Sequence, residues 1–249
     1  MVHFVGAGPG APDLLTLRGA ELLRRADVVI YAGSLVNPAL LELCRDGCVV
    51  YNSARLTLER ILELMAEAEA AGKTTVRLHT GDPGLYGALR EQLDALDTRG
   101  IPWDVTPGVS SLFGAAAVLG AEFTLPGVSQ SLIVTRLPGR TSVPERERLR
   151  DLARHGTSLA LFLSAGLREE AREELLAAGL SPDTPAAVVY KATWPEQRIV
   201  RCTVDTLPEA GPEIGKTALV LVGTFLSAPY EKSRLYDPSF STGFREAER

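Results

Sequence analysis

The chain has 249 residues, a formal net charge of −5, 45% hydrophobic and 23% charged side chains. That length holds one large or two smaller α/β domains with a sizeable core, and the composition is that of a soluble globular protein. The acidic balance argues against a nucleic-acid surface, no apolar run reaches the roughly 20 residues of a membrane span, and no basic region followed by a long apolar stretch marks a secretory signal. Three cysteines (Cys44, Cys48, Cys202) and three scattered histidines (His3, His79, His155) fit a reducing cytoplasm and supply no ligand cluster, so no protein-bound metal is expected.

The first strand, Val2-His3-Phe4-Val5, runs into Gly6-Ala7-Gly8-Pro9-Gly10. Such a turn lets a ligand approach the main chain, or serves only as a tight strand-to-helix connection. Gly6-x-Gly8-x-x-Ala11 formally matches a dinucleotide fingerprint, but two features oppose that reading. Pro9 removes an amide where a pyrophosphate would need one. The second strand, Asp27 to Tyr31, ends in Ala32-Gly33 without the carboxylate that would hold a ribose, while Asp27 stands at the wrong edge.

Between these strands a helix is predicted from Pro12 to about Arg25. Asn37-Pro38 opens a short helix through Leu43, Val49 to Tyr51 is a short strand, and Leu58, Ile61, Leu62 and Met65 mark a helix closed by Gly72. Met65 reads as core. Thr74 to Leu78 is a strand leading into His79-Thr80-Gly81-Asp82-Pro83-Gly84, followed by a helix through about Leu96. Pro102 to Thr106 is a strand, and Pro107-Gly108 turns it into a helix near Ser110. Five strands alternating with helices predict a mainly parallel, three-layer domain whose turns gather at the carboxyl ends of the strands.

The second half changes rhythm. Ser131 to Thr135 and Ser158 to Leu163 are strands separated by a polar excursion over Arg136 to Glu147, and Glu169 to Ala178 is a helix closed by Gly179. Strands at Ala187 to Tyr190, Arg198 to Thr203 and Ala218 to Val222 follow with little helix between them, which predicts a mixed sheet. The expected division is residues 1–112, residues 113–232, and a polar tail over 233–249.

Taken together, the turns resemble those of the tetrapyrrole (corrin/porphyrin) methylases. The matching residues are Phe4 to Gly10 with Leu14-Leu15-Thr16, Gly81-Asp82-Pro83 with Tyr86-Gly87, and Thr106 to Ser111. Tyr190-Lys191-Ala192 and Thr217 to Val220 extend the match, which runs to about residue 230. Narrower likeness, to family members that methylate carbon 11 of precorrin-4 or its cobalt form, lies in Tyr31 to Pro38, His79 to Pro83, Leu125 to Gln130, Thr135-Arg136 with Gly139 to Thr141, Tyr190 to Pro195 and Arg234 to Pro238. Ala11 and Gly84 depart from common family residues. The resemblance implies an α/β fold of two domains, S-adenosyl-L-methionine as methyl donor, a precorrin as acceptor, a cytoplasmic homodimer, and a role in cobalamin biosynthesis.

By the same resemblance, the donor is expected at Pro9, Thr80, Gly81, Asp82, Leu85, Ser110, Ser111, Ser164, Ala192 and Ala218. Asp82 also reads as an Asx-turn residue, Ser110-Ser111 as a helix N-cap, and Ala192 and Ala218 as small core residues. A macrocycle edged with acetates and propionates calls for cationic partners, and Arg136, Arg140 and Lys191 follow strands in suitable places, with Arg90 behind them. Methyl transfer from a sulfonium chiefly needs alignment, so the lack of a triad is no obstacle; His79, Asp82, Tyr86 and Tyr31 stand in the motif turns without one being marked as a base. A methylase acting at another precorrin position or on diphthine, a dinucleotide oxidoreductase, and a non-catalytic ligand-binding protein remain as alternatives.

Overall fold

The computed structural model describes residues 1–227 and 229–247. The chain divides into two compact units, one of residues 1–115 and 191–197, the other of residues 116–190 and 198–249.

The first unit is built on five parallel strands, β1 (Val2–Gly6), β2 (Val28–Tyr31), β3 (Val49–Asn52), β4 (Thr75–His79) and β5 (Trp103–Thr106), in the order β3-β2-β4-β1-β5. Alternating residues sort the sheet into two packed faces, as the twofold side-chain period requires. Val2, Phe4, Val28 and Ile30 pack with Ile61, Leu62 and the fully buried Met65 of α2 (Leu58–Ala70) and Leu93 and Leu96 of α3 (Leu89–Thr98). Val5, Val29, Val76 and Leu78 pack with Leu23 of α1 (Leu17–Arg25) and with Leu15 and Leu40. Apolar residues on both faces are what a parallel sheet covered by helices demands.

Two predicted helices are shorter than their sequence patterns suggest. Pro12–Leu14 forms only a 3-10 turn; Leu15 and Thr16 are extended, and Thr16 Oγ1 caps α1 by accepting from Gly19 N–H. After Gly84 no helix forms until Leu89, because Tyr86 and Ala88 take left-handed φ values of 56° and 47°. Pro38–Leu43 is likewise a 3-10 helix. Asp27, one residue before β2, accepts from Thr74 N–H at 2.8 Å and pairs with Arg45, which fixes it at the amino edge of the sheet.

The second unit holds β6 (Leu132–Thr135), β7 (Ser158–Leu161), β8 (Pro185–Tyr190), β9 (Arg198–Thr203) and β10 (Ala218–Val222), ordered β6-β7-β10-β8-β9. Only β6 and β7 are parallel; β10 runs antiparallel to β7 and β8, and β8 to β9, so the sheet is mixed. Its core joins Leu159, Leu161, Val188, Val220 and Val222 to Leu149 and Ala153 of a short α5 (Leu149–Ala153) and Ala171 and Leu175 of α6 (Arg168–Ala177). Helix α5 follows the polar excursion and has no counterpart in the sequence reading, since five residues show no period. β7 stops at Leu161, short of the predicted Leu163, whose φ of 53° breaks the extended run. Helix α4 (Ser111–Leu119) begins in the first unit and ends in the second.

Candidate functional site

Strands β4, β1 and β5 are neighbours and parallel, so the loops after their carboxyl ends emerge at one edge of the first sheet. Main-chain bonds join those loops. Ala7 N–H donates to the His79 carbonyl at 2.7 Å, Gly8 N–H to Gly81 O at 3.2 Å, and Gly81 N–H back to Gly8 O at 2.9 Å. The approach leaves no room for side chains: a Cβ on Gly6 would lie 2.6 Å from Gly108 Cα, and one on Gly108 2.2 Å from the Gly81 oxygen. These glycines therefore let backbone meet backbone, a reason for their presence that precedes any ligand.

Asp82 completes the join. Its Oδ1 accepts from Gly84 N–H and its Oδ2 from Gly108 N–H, both at 2.8 Å. The first is an Asx turn; the second ties the β4 loop to the β5 loop. Ser110 is buried and caps α4, its Oγ accepting from Leu112 N–H at 3.2 Å. Ser111 opens that helix beside Gly81, whose Cβ position is 3.3 Å from Ser111 N. Thr80 and Leu85 stand exposed at the rim.

Residues 191–197 connect β8 to β9 yet group with the first unit. Trp194 Nε1–H donates to the Pro9 carbonyl at 2.9 Å, and Ala11 N–H donates to Thr193 Oγ1 at 2.9 Å. Asn37 Nδ2 donates to Gly10 O at 2.8 Å. Ala192 is buried against Gly114 of α4, which also receives the Pro9 ring. Lys191 Nζ lies 3.6 Å from Glu196 Oε1 and 4.7 Å from the centre of the Trp194 ring.

Of the residues named from sequence, the first unit thus gathers Pro9, Thr80, Gly81, Asp82, Leu85, Ser110, Ser111, Lys191 and Ala192. The second unit holds Arg136, Arg140, Ser164 and Ala218, while Arg90 stays in the first. Ser164 is fully buried, its hydroxyl donating to Phe162 O at 2.7 Å and accepting from Leu137 N–H at 3.0 Å, so both roles of that oxygen serve the fold. Ala218 opens β10, in register with Tyr190. Arg136, directly after β6, donates to the carbonyls of Leu137, Thr141 and Ser142 at 3.2, 3.1 and 2.6 Å, and shapes its own loop. Arg140, in that loop, is exposed. Arg90 pairs with Asp94 on the surface of α3. Asn37, Thr193 and Trp194 were assigned no role from sequence; the stretches carrying them are family-like, but nothing in sequence shows whom they meet.

Behind the loops, Arg77 is buried with Nε on Gln92 Oε1 at 3.2 Å and Nη1 on the Ile30 carbonyl at 3.1 Å, and burial brings its pKa down to about 10. His79 is buried on Phe4, ring centres 5.9 Å apart, and its Nε2 has no partner among the described residues. Burial, with Arg77 as a smaller contribution, pushes its pKa down to about 3, so it is neutral and too weak a base for proton abstraction. No group of three or more His, Cys, Asp or Glu is placed to hold a metal ion among the described residues.

Adjacent parallel strands ending in side-chain-poor loops, with one fixed carboxylate and a few hydroxyls, form the kind of strand-end edge at which open α/β sheets take small molecules. The chain belongs to the tetrapyrrole (corrin/porphyrin) methylase family, whose model matches residues 1–208. It is 47% identical over 251 residues to the cobalt-precorrin-4 C(11)-methyltransferase of Methanocaldococcus jannaschii, covering 100% of this chain and 97% of that one. The X-ray structure of a cobalamin biosynthetic enzyme, cobalt precorrin-4 methyltransferase, matches with a TM-score of 0.89 at 46% identity, over 91% of this chain and 95% of that chain. The uroporphyrin-III C-methyltransferase of Thermus thermophilus, in complex with S-adenosylhomocysteine, matches with a TM-score of 0.78 at 31% identity, over 90% and 98% of the two chains.

The residues present fit a sulfonium nucleoside. The Asp82 carboxylate keeps lone pairs beyond those used by Gly84 and Gly108, and Thr80 and Ser111 add hydroxyls. The one cation of the set, Lys191, has Glu196 beside it.

Proposed function

We propose that this chain transfers the methyl group of S-adenosylmethionine to carbon 11 of precorrin-4, or of its cobalt form, in cobalamin biosynthesis. The observation that carries the reading is the main-chain knit of the β1, β4 and β5 loops with Asp82 across it, in a chain that aligns end to end with a cobalt-precorrin-4 C(11)-methyltransferase. When bound, the donor supplies an activated methyl and its own leaving group. The chain's work is then to orient and enclose.

In the first unit, Gly81, Asp82 and the Ser110-Ser111 cap receive the nucleoside, with Thr80 and Leu85 at its rim and Pro9 and Ala192 giving apolar contact. Asp82 accepts hydrogen bonds from hydroxyl or ammonium groups while its amide bonds hold it still. Pro9 has no N–H, and its carbonyl, already accepting from Trp194, keeps at most one free lone pair, so its ring is the main surface it offers. Arg136, Arg140 and Lys191 are the partners for macrocycle carboxylates, Arg140 with its guanidinium free to swing and Arg136 from a fixed position. No side chain is assigned as base, and His79 is withdrawn from that role by its burial. The same reading takes the enzyme as a cytoplasmic homodimer.

Incubation of the purified protein with methyl-labelled donor and either precorrin-4 or cobalt-precorrin-4, followed by NMR of the product, tests the proposal. A labelled methyl on carbon 11 is the expected result. Methylation at another ring carbon, or none with either macrocycle, rejects it.

A further inference from the structure

We infer that Trp194 and Thr193 are positioning residues for the methyl donor, acting through the Pro9–Ala11 turn that they hold from outside. The inference rests on the reading of that turn as part of the donor site.

Three successive residues of the turn have a main-chain polar group taken by a side chain. The Pro9 carbonyl accepts from Trp194 Nε1–H at 2.9 Å, the Gly10 carbonyl from Asn37 Nδ2 at 2.8 Å, and the Ala11 amide donates to Thr193 Oγ1 at 2.9 Å. Residues 191–197 supply two of these three partners. The fit is steric as well as polar, since a Cβ on Gly10 would fall 2.0 Å from Trp194 Cδ1 and one on Gly114 would fall 2.6 Å from Pro9 Cβ. Pro9 thus has the indole on its carbonyl and α4 against its ring, which sets both the height and the tilt of the ring.

The holding segment is itself fixed in advance. Thr193 N–H donates to Gln197 Oε1 at 2.7 Å, Trp194 N–H to the Lys191 carbonyl at 3.0 Å, and Gln197 N–H to the Trp194 carbonyl at 3.0 Å. Lys191 and Thr193 adopt left-handed φ values of 46° and 69°, unfavourable for residues with a Cβ, and this pair of reversals brings hydroxyl and indole to the turn. A segment that served only to connect β8 with β9 would not need that geometry.

Trp194→Phe keeps an aromatic ring beside Gly10 and removes only the N–H; Thr193→Val removes the acceptor and Thr193→Ser keeps it. With S-adenosylhomocysteine as the probe in calorimetric titration, Trp194→Phe and Thr193→Val should each weaken binding by roughly tenfold, as for loss of one buried hydrogen bond. Thr193→Ser should bind within about twofold of the unaltered protein. In turnover, the KM for S-adenosylmethionine should rise by the same factor while the KM for the macrocycle and kcat hold. Trp103→Phe leaves Trp194 as the sole tryptophan, and its emission should then respond to the probe. Folded Trp194→Phe and Thr193→Val proteins that bind the probe like the unaltered chain overturn the inference, even if they melt earlier. Should Trp194→Phe fail to fold, the Thr193 pair decides. Failure of the unaltered protein to bind the probe is a separate result, which removes the donor reading itself and this inference with it.

Discussion

Both oxygens of Asp82 already accept from main-chain amides, one within its own turn and one across to Gly108, so its carboxylate is held before any ligand arrives. If the donor meets it as proposed, Asp82 would contribute by being still, because little rotamer freedom remains to be lost. His79 shows the opposite use of a titratable side chain. Folded, it stays neutral down to about pH 3, whereas the unfolded chain protonates it near 6.5. The unfolded state therefore binds the extra proton over that interval, and stability falls as the pH falls through it, by about 1.4 kcal/mol per pH unit at most from this residue. Above about pH 6.5 the effect vanishes. Urea unfolding at pH 7, 6 and 5 should show a steeper acid loss for the unaltered protein than for His79→Phe. Parallel curves would mean that the imidazole is hydrated in the folded state.

At the scale of elements, the edge formed by the β1, β4 and β5 loops behaves as one piece. Gly108→Ala would press a methyl into the Gly81 carbonyl; it should cost about 1–3 kcal/mol of stability in urea and weaken S-adenosylhomocysteine binding several-fold. Wild-type stability and affinity in that variant would show that the loops part easily. The strands and their parallel or mixed pairing were legible because Phe4/Val5 and Val29/Ile30 alternate between two apolar faces and because helix or hairpin spacing separates them. Less legible were the stretches where a local conformation overrides a pattern. Leu14 and Leu15 look helical, yet Thr16 starts the helix afresh. Leu85 to Ala88 looks like a first helical turn until the positive φ of Tyr86 and Ala88 is seen. The glycine turn was visible as a motif, but its packing against Gly81 and Gly108 was not, since it joins residues some 70 to 100 positions apart in sequence. Trp194 reaching Pro9 is hidden for the same reason.

For the molecule as a whole, a net charge of −5 would repel an anionic macrocycle at long range, whereas Arg136, Arg140 and Lys191, if they meet its carboxylates as proposed, would attract it at the contact. Salt separates the two by the sign of its effect, since screening a contact attraction raises KM whereas screening a long-range repulsion lowers it. If Arg136, Arg140 and Lys191 hold carboxylates, the KM for the macrocycle should climb as ionic strength goes from about 0.05 to 0.5 M, and S-adenosylhomocysteine binding should change less than about twofold. Initial rates across that range give the answer; a falling KM would assign the electrostatics to the overall charge and not to these cations. Arg136 has a second duty, because its bonds to Leu137, Thr141 and Ser142 shape the loop that carries Arg140.

The glycine knit has a practical corollary for anyone wishing to redesign the enzyme around a bulkier alkyl donor. If the donor lies on these loops, its floor is peptide rather than side chain, so there is little there to trim; a methyl on Gly6 or Gly108 would run into backbone, and one on Gly81 would sit on a left-handed φ of 59° at 3.3 Å from Ser111 N. Remodelling would then begin at the exposed Thr80 and Leu85, where a library can vary size without unpicking the foundation.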